Sequence, residues 1–351
     1  MKHVKVWILV LLLGVLGSAC GSGDQTADTP AVVRLMTHDS FDVSAELIAS
    51  FEAETGLDVE IFKAGDGGEM LNKAILAGDA PLADVLFGVD NTFLSRALEN
   101  DLFLPYESPV LLEIRDGLEL DPEYRVSPVD YGDICLNYDV AWFEEAQLPP
   151  PDSLEDLADP MYKGLTVVEN AATSTPGLGF LLATVERFGE DGYLDYWRQL
   201  VANDVLIVDG WEQAYYSYFT AASEGDRPIV VSYASSPVAE VFYAEEPPAS
   251  APTAAVLTDG TCFRQVEFAG ILRGTKVEKE ARLLVDFILD QQFQEDIPLK
   301  MFVYPANETA VLPELFQKYG HAADKPVQMD PARITANREA WIQAWTDVAL
   351  R

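Results

Sequence analysis

Apolar residues recur along this chain with two alternating periods. Short runs with strand character are separated by segments in which apolar residues return every three or four positions, the spacing of one face of a helix. We predict strands at residues 32–36, 59–62, 85–89, 134–138, 165–168, 205–208, 229–232 and 265–272. The regular exchange of strand and helix predicts an α/β fold with mostly parallel sheets.

The predicted helices fill the intervals between these strands. The first has apolar residues from Val43 to Phe51 on one face, and Gly56 is its expected stop. Further helices are predicted at residues 69–77, from about residue 92, and at 177–188, 192–201, 211–222 and 278–290. A last helix is predicted with Asp330 as its cap and Pro331 at its first position.

The first thirty residues have the pattern of an exported lipoprotein. A positively charged start precedes an apolar run at residues 6–16, which is too short to span a bilayer comfortably. Small residues then precede Cys20, as in a bacterial lipobox, which implies a signal peptide at residues 1–19 and a lipid on the Cys20 thiol. Residues 20–30 are small and polar and predict a flexible tether. An ordinary signal with an unrelated cysteine is the alternative, because Gly17 replaces the usual leucine.

The net charge of the chain limits the classes of partner that it can bind. Asp and Glu total 58 against 23 Lys and Arg, which gives a formal net charge of −35. Such a chain will not bind nucleic acid or an anionic membrane surface through bulk charge. The acidity permits a cationic ligand, although an acid-rich surface that serves solubility explains it equally well.

Motifs for catalysis or metal binding are sparse. Cys135 and Cys262 form an even pair in an oxidising compartment, and the chain has no CxxC motif. His38 and His321 are the histidines beyond the signal, and no GxSxG motif is present. A histidine-based metal site or a serine hydrolase triad therefore has little support, and we expect a binding protein without enzymatic activity.

Short polar groups follow the predicted strands. They lie at residues 37–41, 64–68, 90–92, 173–177, 209–211 and 233–237. Ligands of open α/β sheets bind beyond the carboxyl ends of the strands, beside helix N-termini. Each group also has a local explanation: Asp39 and Asp90 could cap helices, and Trp211 and Tyr233 could be core aromatics. Their recurrence in both halves predicts a small-molecule cleft between two lobes.

Several stretches resemble one known family. They are residues 37–41, 83–91, 130–132, 173–179, 210–215, 232–237, 265–267, 304–305 and 340–342. In them the chain resembles the thiamine-binding subunits of bacterial ABC importers, which are type 2 periplasmic binding proteins related to ferric-ion binders. The resemblance spans nearly the whole mature chain. Its most specific parts are Thr-Ser-Thr-Pro-Gly-Leu-Gly at 173–179 and Gly-Trp at 210–211.

The resemblance implies a two-lobed fold with hinge strands and a central cleft. Lobe 1 would comprise residues 31–132 and lobe 2 residues 133–265, and residues 266–351 would return to lobe 1 with the C-terminal helices. The lobes of such proteins close on their ligand by a hinge motion. The resemblance further implies a monomer outside the cytoplasm, anchored through its lipid, that serves ABC permease subunits. Its ligand would be thiamine or thiamine mono- or diphosphate, with no cofactor and no metal.

The family pattern also implies which residues surround the ligand. Asp66, Gly67 and Ser174 would face its hydroxyethyl or phosphate end, among aromatic residues that line the cleft. The complete expected set is His38, Asp39, Asp66, Gly67, Asp90, Asn91, Thr173, Ser174, Trp211, Tyr215, Tyr233, Ser235, Phe302 and Tyr304. His38 and Phe302 stand where the family commonly has tyrosine and tryptophan, and Ala239 stands where it has an aromatic. The ring stack is therefore expected to differ.

Two further expectations concern paired residues. In the implied fold the two crossing strands run side by side, so Cys135 and Cys262 are expected to form a disulfide, with separate buried thiols as the alternative. A ferric-ion binder is the alternative function, because Tyr215 and Tyr216 could supply paired phenolates. Adjacent residues of a helix point about 100° apart, so we expect Tyr216 to pack rather than to face a ligand.

Overall fold

The computed structural model describes residues 30–246 and 248–351. The predicted signal peptide, the lipidation site Cys20 and the tether up to residue 29 lie outside the described residues. Residues Ala31–Arg351 form one unit. Within the described part of the chain, no helix has the length and apolar character needed to cross a bilayer.

One mixed sheet of 11 strands runs through this unit. The strands are β1 (Ala31–Thr37), β2 (Leu57–Lys63), β3 (Val85–Asp90), β4 (Phe103–Leu104), β5 (Ser127–Asp139), β6 (Thr166–Glu169), β7 (Leu206–Val208), β8 (Ile229–Tyr233), β9 (Thr253–Ala255), β10 (Phe263–Leu272) and β11 (Tyr304–Pro305). The central order is β2-β1-β3-β10-β5-β8-β6-β7, and β4, β9 and β11 pair with β10 or β5. Every predicted strand is present, which confirms the α/β class. The expectation of a mostly parallel sheet was wrong, because β5 and β10 pair with all of their neighbours in antiparallel fashion.

Helices cover this sheet. They are α1 (Ala45–Thr55), α2 (Gly67–Ala77), α3 (Leu94–Glu99), α4 (Val140–Ala146), α5 (Thr175–Ala202), α6 (Trp211–Gln213), α7 (Ser236–Phe242), α8 (Glu278–Leu289), α9 (Gln291–Lys300), α10 (Glu314–Tyr319) and α11 (Pro331–Ala349). Short 3-10 turns lie at Pro109–Glu113, Glu155–Ala158 and Pro160–Tyr162, and a π-helical turn lies at Ala214–Tyr218.

Two helix ends lie at the residues that the sequence predicts for them. Gly56 ends α1 in the left-handed region with φ of 71°, which only glycine adopts at no steric cost. The Asp330 carboxylate accepts from the Ala332 amide at the start of α11, as the cap pattern predicts. The helices expected at 177–188 and 192–201 are both present and are separated by a kink at Gly189. One helix prediction was wrong, because the helix expected at 211–222 is the short α6 followed by the π-helical turn.

The strands β5 and β10 connect the two halves of the sheet. They pair with each other in antiparallel fashion, with Gln265 opposite Gly132 and Glu267 opposite Asp130. Beyond this pairing, β10 joins β3 and β4, whereas β5 joins β8 and β9. These are therefore the hinge strands between a half built on β1 to β3 and a half built on β6 to β8.

A disulfide joins the two hinge strands. Cys135 lies in β5 and Cys262 directly precedes β10, and their Cα atoms are 4.4 Å apart. Both residues are buried. The bond closes a loop between residues 127 positions apart. In the chain-entropy model a loop of this size stabilises the fold by about 4–5 kcal/mol.

The last helix, α11, contacts the second half of the sheet as well as the first. The Trp345 ring meets Trp197 of α5 edge to face with centroids 5.4 Å apart. The Trp341 indole nitrogen donates to Glu190, also in α5, over 2.6 Å. On the same buried face of α11 the Arg338 guanidinium lies over the Phe93 ring, beside α3. The apolar face of α11 covers α5, so the last helix contacts both halves.

Candidate functional site

A cavity of about 590 Å³ opens between the two halves of the sheet, above the hinge strands. Its size falls within the range of small-molecule sites. The residues that line it are His38, Asp39, Ser40, Asp66, Gly67, Asp130, Gly132, Thr175, Pro176, Gly210, Trp211, Glu212, Gln213, Tyr215, Tyr216, Tyr233, Ser235, Ser236, Ala239, Tyr243, Gln265, Glu267, Lys300, Met301, Phe302 and Val303. Most lie at the carboxyl ends of strands, where the strand-end argument placed the cleft.

Most of the expected ligand-binding residues lie in this lining. They are His38, Asp39, Asp66, Gly67, Trp211, Tyr215, Tyr233, Ser235 and Phe302. The structure places Asp90, Asn91, Thr173, Ser174 and Tyr304 outside the lining.

Hydrogen bonds within the protein explain why Asp90, Asn91 and Thr173 lie outside the cavity lining. The Asp90 carboxylate accepts from the backbone and hydroxyl of Thr92, and the Asn91 side chain bridges to the Val266 amide and the Arg264 carbonyl. The Thr173 hydroxyl donates to the Asp209 carbonyl over 2.7 Å. Asp90 and Asn91 are buried and bind other parts of the protein, and the exposed Thr173 joins the loop after β6 to the loop after β7.

Packing explains why Ser174 and Tyr304 lie outside the cavity lining. Ser174 is almost fully buried at the start of α5, one residue before Thr175 enters the lining. The Tyr304 ring stacks on Tyr131 with centroids 5.4 Å apart, on the hinge strand β5. Tyr304 therefore belongs to the support of the hinge.

Two helix N-termini meet at one end of the cavity. The helix α2 begins at Gly67, capped by the Asp66 carboxylate, and α5 begins at Thr175. A Cβ added at Gly67 would lie 3.4 Å from the Thr175 hydroxyl. The starts of helices from the two halves thus approach closely, and their free amides and dipoles favour an anion or a hydroxyl oxygen.

Aromatic rings form the wall of the second half. Trp211 stacks on Tyr215 with centroids 5.0 Å apart and meets Tyr216 edge to face. Tyr215 is 2% exposed and Tyr216 is 55% exposed, so the expectation that Tyr216 would pack was wrong. The π-helical turn at Ala214–Tyr218 changes the angle between the two tyrosines, and both line the cavity.

A second aromatic group faces this wall. The Tyr243 and Phe302 rings are 5.5 Å apart, and both residues line the cavity near Ala239. Tyr243 was not among the expected residues. It supplies a ring close to the position where Ala239 lacks one.

A line of polar side chains crosses the floor of the cavity. The Tyr233 hydroxyl donates to Gln265 over 2.7 Å, and the Gln265 amide donates to Glu267 over 3.2 Å. The His38 Nε2 atom lies 3.5 Å from the Glu267 carboxylate. The line runs from β8, across the hinge strand β10, to the end of β1.

The position of His38 depends on a close backbone approach. Gly88 has φ of 104°, and a Cβ there would lie 2.3 Å from the His38 ring. Only glycine both adopts this backbone conformation freely and leaves room for the imidazole. The strand β3 therefore fits directly against the His38 ring.

Burial and neighbouring charges shift the pKa values of the side chains in the floor of the cavity. Burial disfavours a charge on His38, but the Glu267 carboxylate outweighs it and raises the pKa of the imidazole above its usual value. Burial raises the pKa of Asp66. Burial, and then the charge of Glu267, raise the pKa of Asp130 well above the ordinary range. The floor thus gathers several carboxyl groups in a partly dry environment.

The hinge residues Asp130, Gln265 and Glu267 were missed as ligand-binding candidates. They lie inside strands, whereas the predicted cleft residues follow strand ends. A signal was present, because residues 130–132 and 265–267 are among the stretches that carry the family resemblance. Among the described residues, no group of three or more His, Cys, Asp or Glu side chains is placed to hold a metal ion.

A two-halved α/β unit with a cleft over paired hinge strands is the architecture of a binding protein. The chain belongs to the family of bacterial extracellular solute-binding proteins, whose model matches residues 80–319. The thiamine-binding periplasmic protein of Escherichia coli (strain K12) is 30% identical over 328 residues, which cover 91% of this chain and 94% of that protein.

Solved structures agree with this assignment. A periplasmic thiamin binding protein superposes with a TM-score of 0.80 and 27% identity, covering 92% of this chain and 97% of that one. Iron-bound HitA from Pseudomonas aeruginosa superposes with a TM-score of 0.74 at 20% identity, covering 91% and 99%, and shares the fold. These matches confirm the two-lobed type 2 periplasmic-binding-protein fold and the predicted family.

Proposed function

We propose that this protein captures thiamine, or a phosphate ester of thiamine, outside the cytoplasm and delivers it to the permease of an ABC importer. The observation that carries the proposal is a cleft that combines an aromatic wall with an acidic floor. Thiamine has a permanently cationic thiazolium ring, and an aromatic face beside a cation contributes about 0.5–2 kcal/mol. The relatives named as thiamine-binding periplasmic proteins support the same ligand.

The two ends of the cavity suit the two ends of this ligand. The N-termini of α2 and α5, at Gly67 and Thr175, offer backbone amides to a hydroxyl or phosphate oxygen. Trp211 and Tyr216 offer ring faces to the heterocycles. The ligand would then contact both halves at once and hold them closed, and closure is the change that a permease can recognise.

The cellular setting extends the proposal. A signal at residues 1–19 and a lipid on Cys20 would tether the unit to the outer face of the membrane through a flexible segment. The protein would act as a monomer, bind without a resident cofactor and carry out no chemistry on its ligand.

Calorimetry with thiamine, thiamine monophosphate and thiamine diphosphate tests the proposal directly. We expect a dissociation constant well below micromolar for at least one of them. Native mass spectrometry of the protein as purified would identify a ligand that is already bound. No heat with any of the three compounds would contradict the proposal.

Two parallel measurements separate the alternatives. A ferric site built on Tyr215 and Tyr216 would produce a coloured phenolate complex on addition of ferric iron. Burial raises the pKa of the Tyr215 phenol well above its usual value, which opposes phenolate formation. Release of phosphate from thiamine monophosphate would instead reveal a hydrolase, and we expect neither colour nor release.

A further inference from the structure

We propose that Asp130 and Glu267 form a paired-carboxyl clamp that recognises the edge of an aminopyrimidine ring, where an exocyclic amine stands beside a ring nitrogen. This inference rests on the proposed function and assigns one part of the ligand to one part of the cleft. Neither residue was expected from the family pattern to bind ligand.

The two carboxyl groups sit on neighbouring hinge strands. Asp130 of β5 and Glu267 of β10 are directly opposite each other in the antiparallel register. Side chains of such pairs lie on the same face of the sheet, about 4.5–5.5 Å apart at their Cβ atoms. Both residues line the cavity. The pair therefore presents two carboxyl groups to one ligand.

Asp130 has no partner outside the pair. It is 0% exposed, neither of its carboxyl oxygens accepts a hydrogen bond from an N–H or hydroxyl group among the described residues, and its polar neighbour is the Glu267 carboxyl group. A buried polar group without a partner costs about 1–3 kcal/mol, and more when it is charged. A protein that places such a group at the wall of a cavity leaves its hydrogen-bonding capacity for whatever enters the cavity.

Glu267 is held in a fixed orientation beside it. The Gln265 amide donates to one of its oxygens, and His38 lies close to the other. The Glu267 charge also acts on three other titratable groups. It helps to raise the pKa of Asp66, Asp90 and Tyr233, after burial in each case. Burial, and then the charge of Glu267, raise the pKa of Asp130, which favours a proton on Asp130.

A protonated carboxyl beside a carboxylate is both a donor and an acceptor. The Asp130 O–H can donate to a ring nitrogen while the Glu267 carboxylate accepts from an exocyclic N–H. The aminopyrimidine edge offers this acceptor and this donor side by side. A thiazolium ring supplies charge but no N–H group, and a phosphate would be repelled by the Glu267 carboxylate. The aminopyrimidine is thus the part of thiamine that satisfies Asp130.

Oxythiamine isolates this contact, because a carbonyl oxygen replaces the 4-amino group while the thiazolium and hydroxyethyl parts stay the same. Calorimetry of the full chain should show thiamine binding about 10- to 100-fold more tightly than oxythiamine, the loss expected for hydrogen bonds to charged groups. A site that hydrogen-bonds an N–H rejects analogues that lack it because its own buried groups are left unpaired.

Variants of Asp130 and Glu267 test whether these two residues cause the preference for thiamine over oxythiamine. Asp130→Ala should reduce the preference to a few-fold at most while both ligands still bind, and Asp130→Asn should restore it, because an amide presents a donor and an acceptor in the same place. Glu267→Met, which keeps the side-chain length, provides a second route should the alanine variant not fold. Asp58→Ala removes an exposed carboxylate at the far end of β2 and should leave the preference unchanged.

The outcomes separate the two proposals. If wild-type protein binds thiamine and oxythiamine equally, or if Asp130→Ala and Glu267→Met keep the full preference, the clamp is wrong and thiamine capture stands. A uniform loss of affinity for both ligands in the variants also overturns the clamp, since it indicates a structural role. If the wild-type protein binds no thiamine at all, the proposed function fails, and this inference fails with it.

Discussion

The indole nitrogen of Trp211 donates a hydrogen bond to the Ser232 hydroxyl over 2.8 Å. Ser232 lies on β8, so this bond ties the short helix α6 to the sheet and fixes the plane of the indole. Tyr215 stacks on that plane with centroids 5.0 Å apart. The ring face that Trp211 presents to the cavity is therefore set before any ligand arrives, which lowers the cost of ordering it on binding.

Replacing this indole should weaken capture of the ligand. Trp211→Phe removes the bond to Ser232 and part of the ring face, and we expect affinity for thiamine to fall about tenfold, in line with the worth of a cation–π contact. The change in tryptophan fluorescence on ligand addition should shrink as well. Trp142→Phe, in α4 and outside the cavity lining, is the matched control. Unchanged affinity and fluorescence response in Trp211→Phe would show that the indole is only a packing residue.

The acidity of Asp90 predicts how stability depends on pH. Burial raises the pKa of Asp90 to about 6, so the folded protein holds this proton more tightly than the unfolded chain does. The contribution of Asp90 to the free energy of unfolding should thus fall as pH rises from about 4 to 6. Asp90→Asn keeps the acceptor oxygen for Thr92 and Phe93, and at pH 7 it should be more stable than wild type by on the order of 2–3 kcal/mol.

Denaturant titrations of both proteins at pH 4 and pH 7 check this expectation. The gap between them should be wide at pH 7 and nearly absent at pH 4. Asp121→Asn is the contrasting control: burial opposes its charge, but hydrogen bonds from Arg125 prevail and lower the pKa of Asp121. That variant should be less stable than wild type at pH 7. A constant gap for Asp90→Asn across the pH range would contradict the assignment.

The close approach of α2 and α5 gives a test of the polar end of the cavity. In Gly67→Val the added carbons would meet the Thr175 hydroxyl, because a Cβ alone already lies 3.4 Å from it. We expect affinity for thiamine and its phosphate esters to fall at least tenfold as access to the helix amides is lost. Gly192→Ala, within α5 and away from the cavity, should bind normally. Calorimetry with each ligand measures the effect, and wild-type affinity in Gly67→Val would place the ligand elsewhere.

The disulfide should stabilise the protein without directing ligand choice. Replacing Cys135 and Cys262 together by alanine should lower the free energy of unfolding by about 2–5 kcal/mol, the usual range for a native disulfide. Thiamine affinity should change little, because neither cysteine is in the cavity lining. Thiol titration of the denatured, unreduced protein should find no free thiol from these two residues. Two titratable thiols there would refute the bond.

Sequence pattern captured the parts of the fold that depend on local physics. The strands β1, β3 and β8 follow from short apolar runs, and α11 follows from the Asp330-Pro331 start. The strands β4 and β11 have two residues each, too few to show any alternation. They form because they pair with the hinge strands, and that pairing depends on the whole fold.

The candidate site divides in the same way. Residues after strand ends, such as Asp66 and Trp211, were accessible to topological reasoning. The meeting of Asp130 with Glu267 depends on the register between strands far apart in the chain, which no local pattern specifies. The exposure of Tyr216 depends on a π-helical turn, where the regular helical angle between neighbours no longer applies.

The path of the chain through the hinge also governs how the protein acquires its structure. Strand β3 pairs with β10, so Phe87 is matched with Ala269, and β1 to β3 acquire their inner neighbour only after the second half has been made. Contacts between such distant residues slow folding, because a long loop must close before they form. A fragment that ends at residue 139 would lack β10 and would not complete its sheet. Late completion of the sheet therefore keeps the nascent chain incompletely folded until β10 has been made.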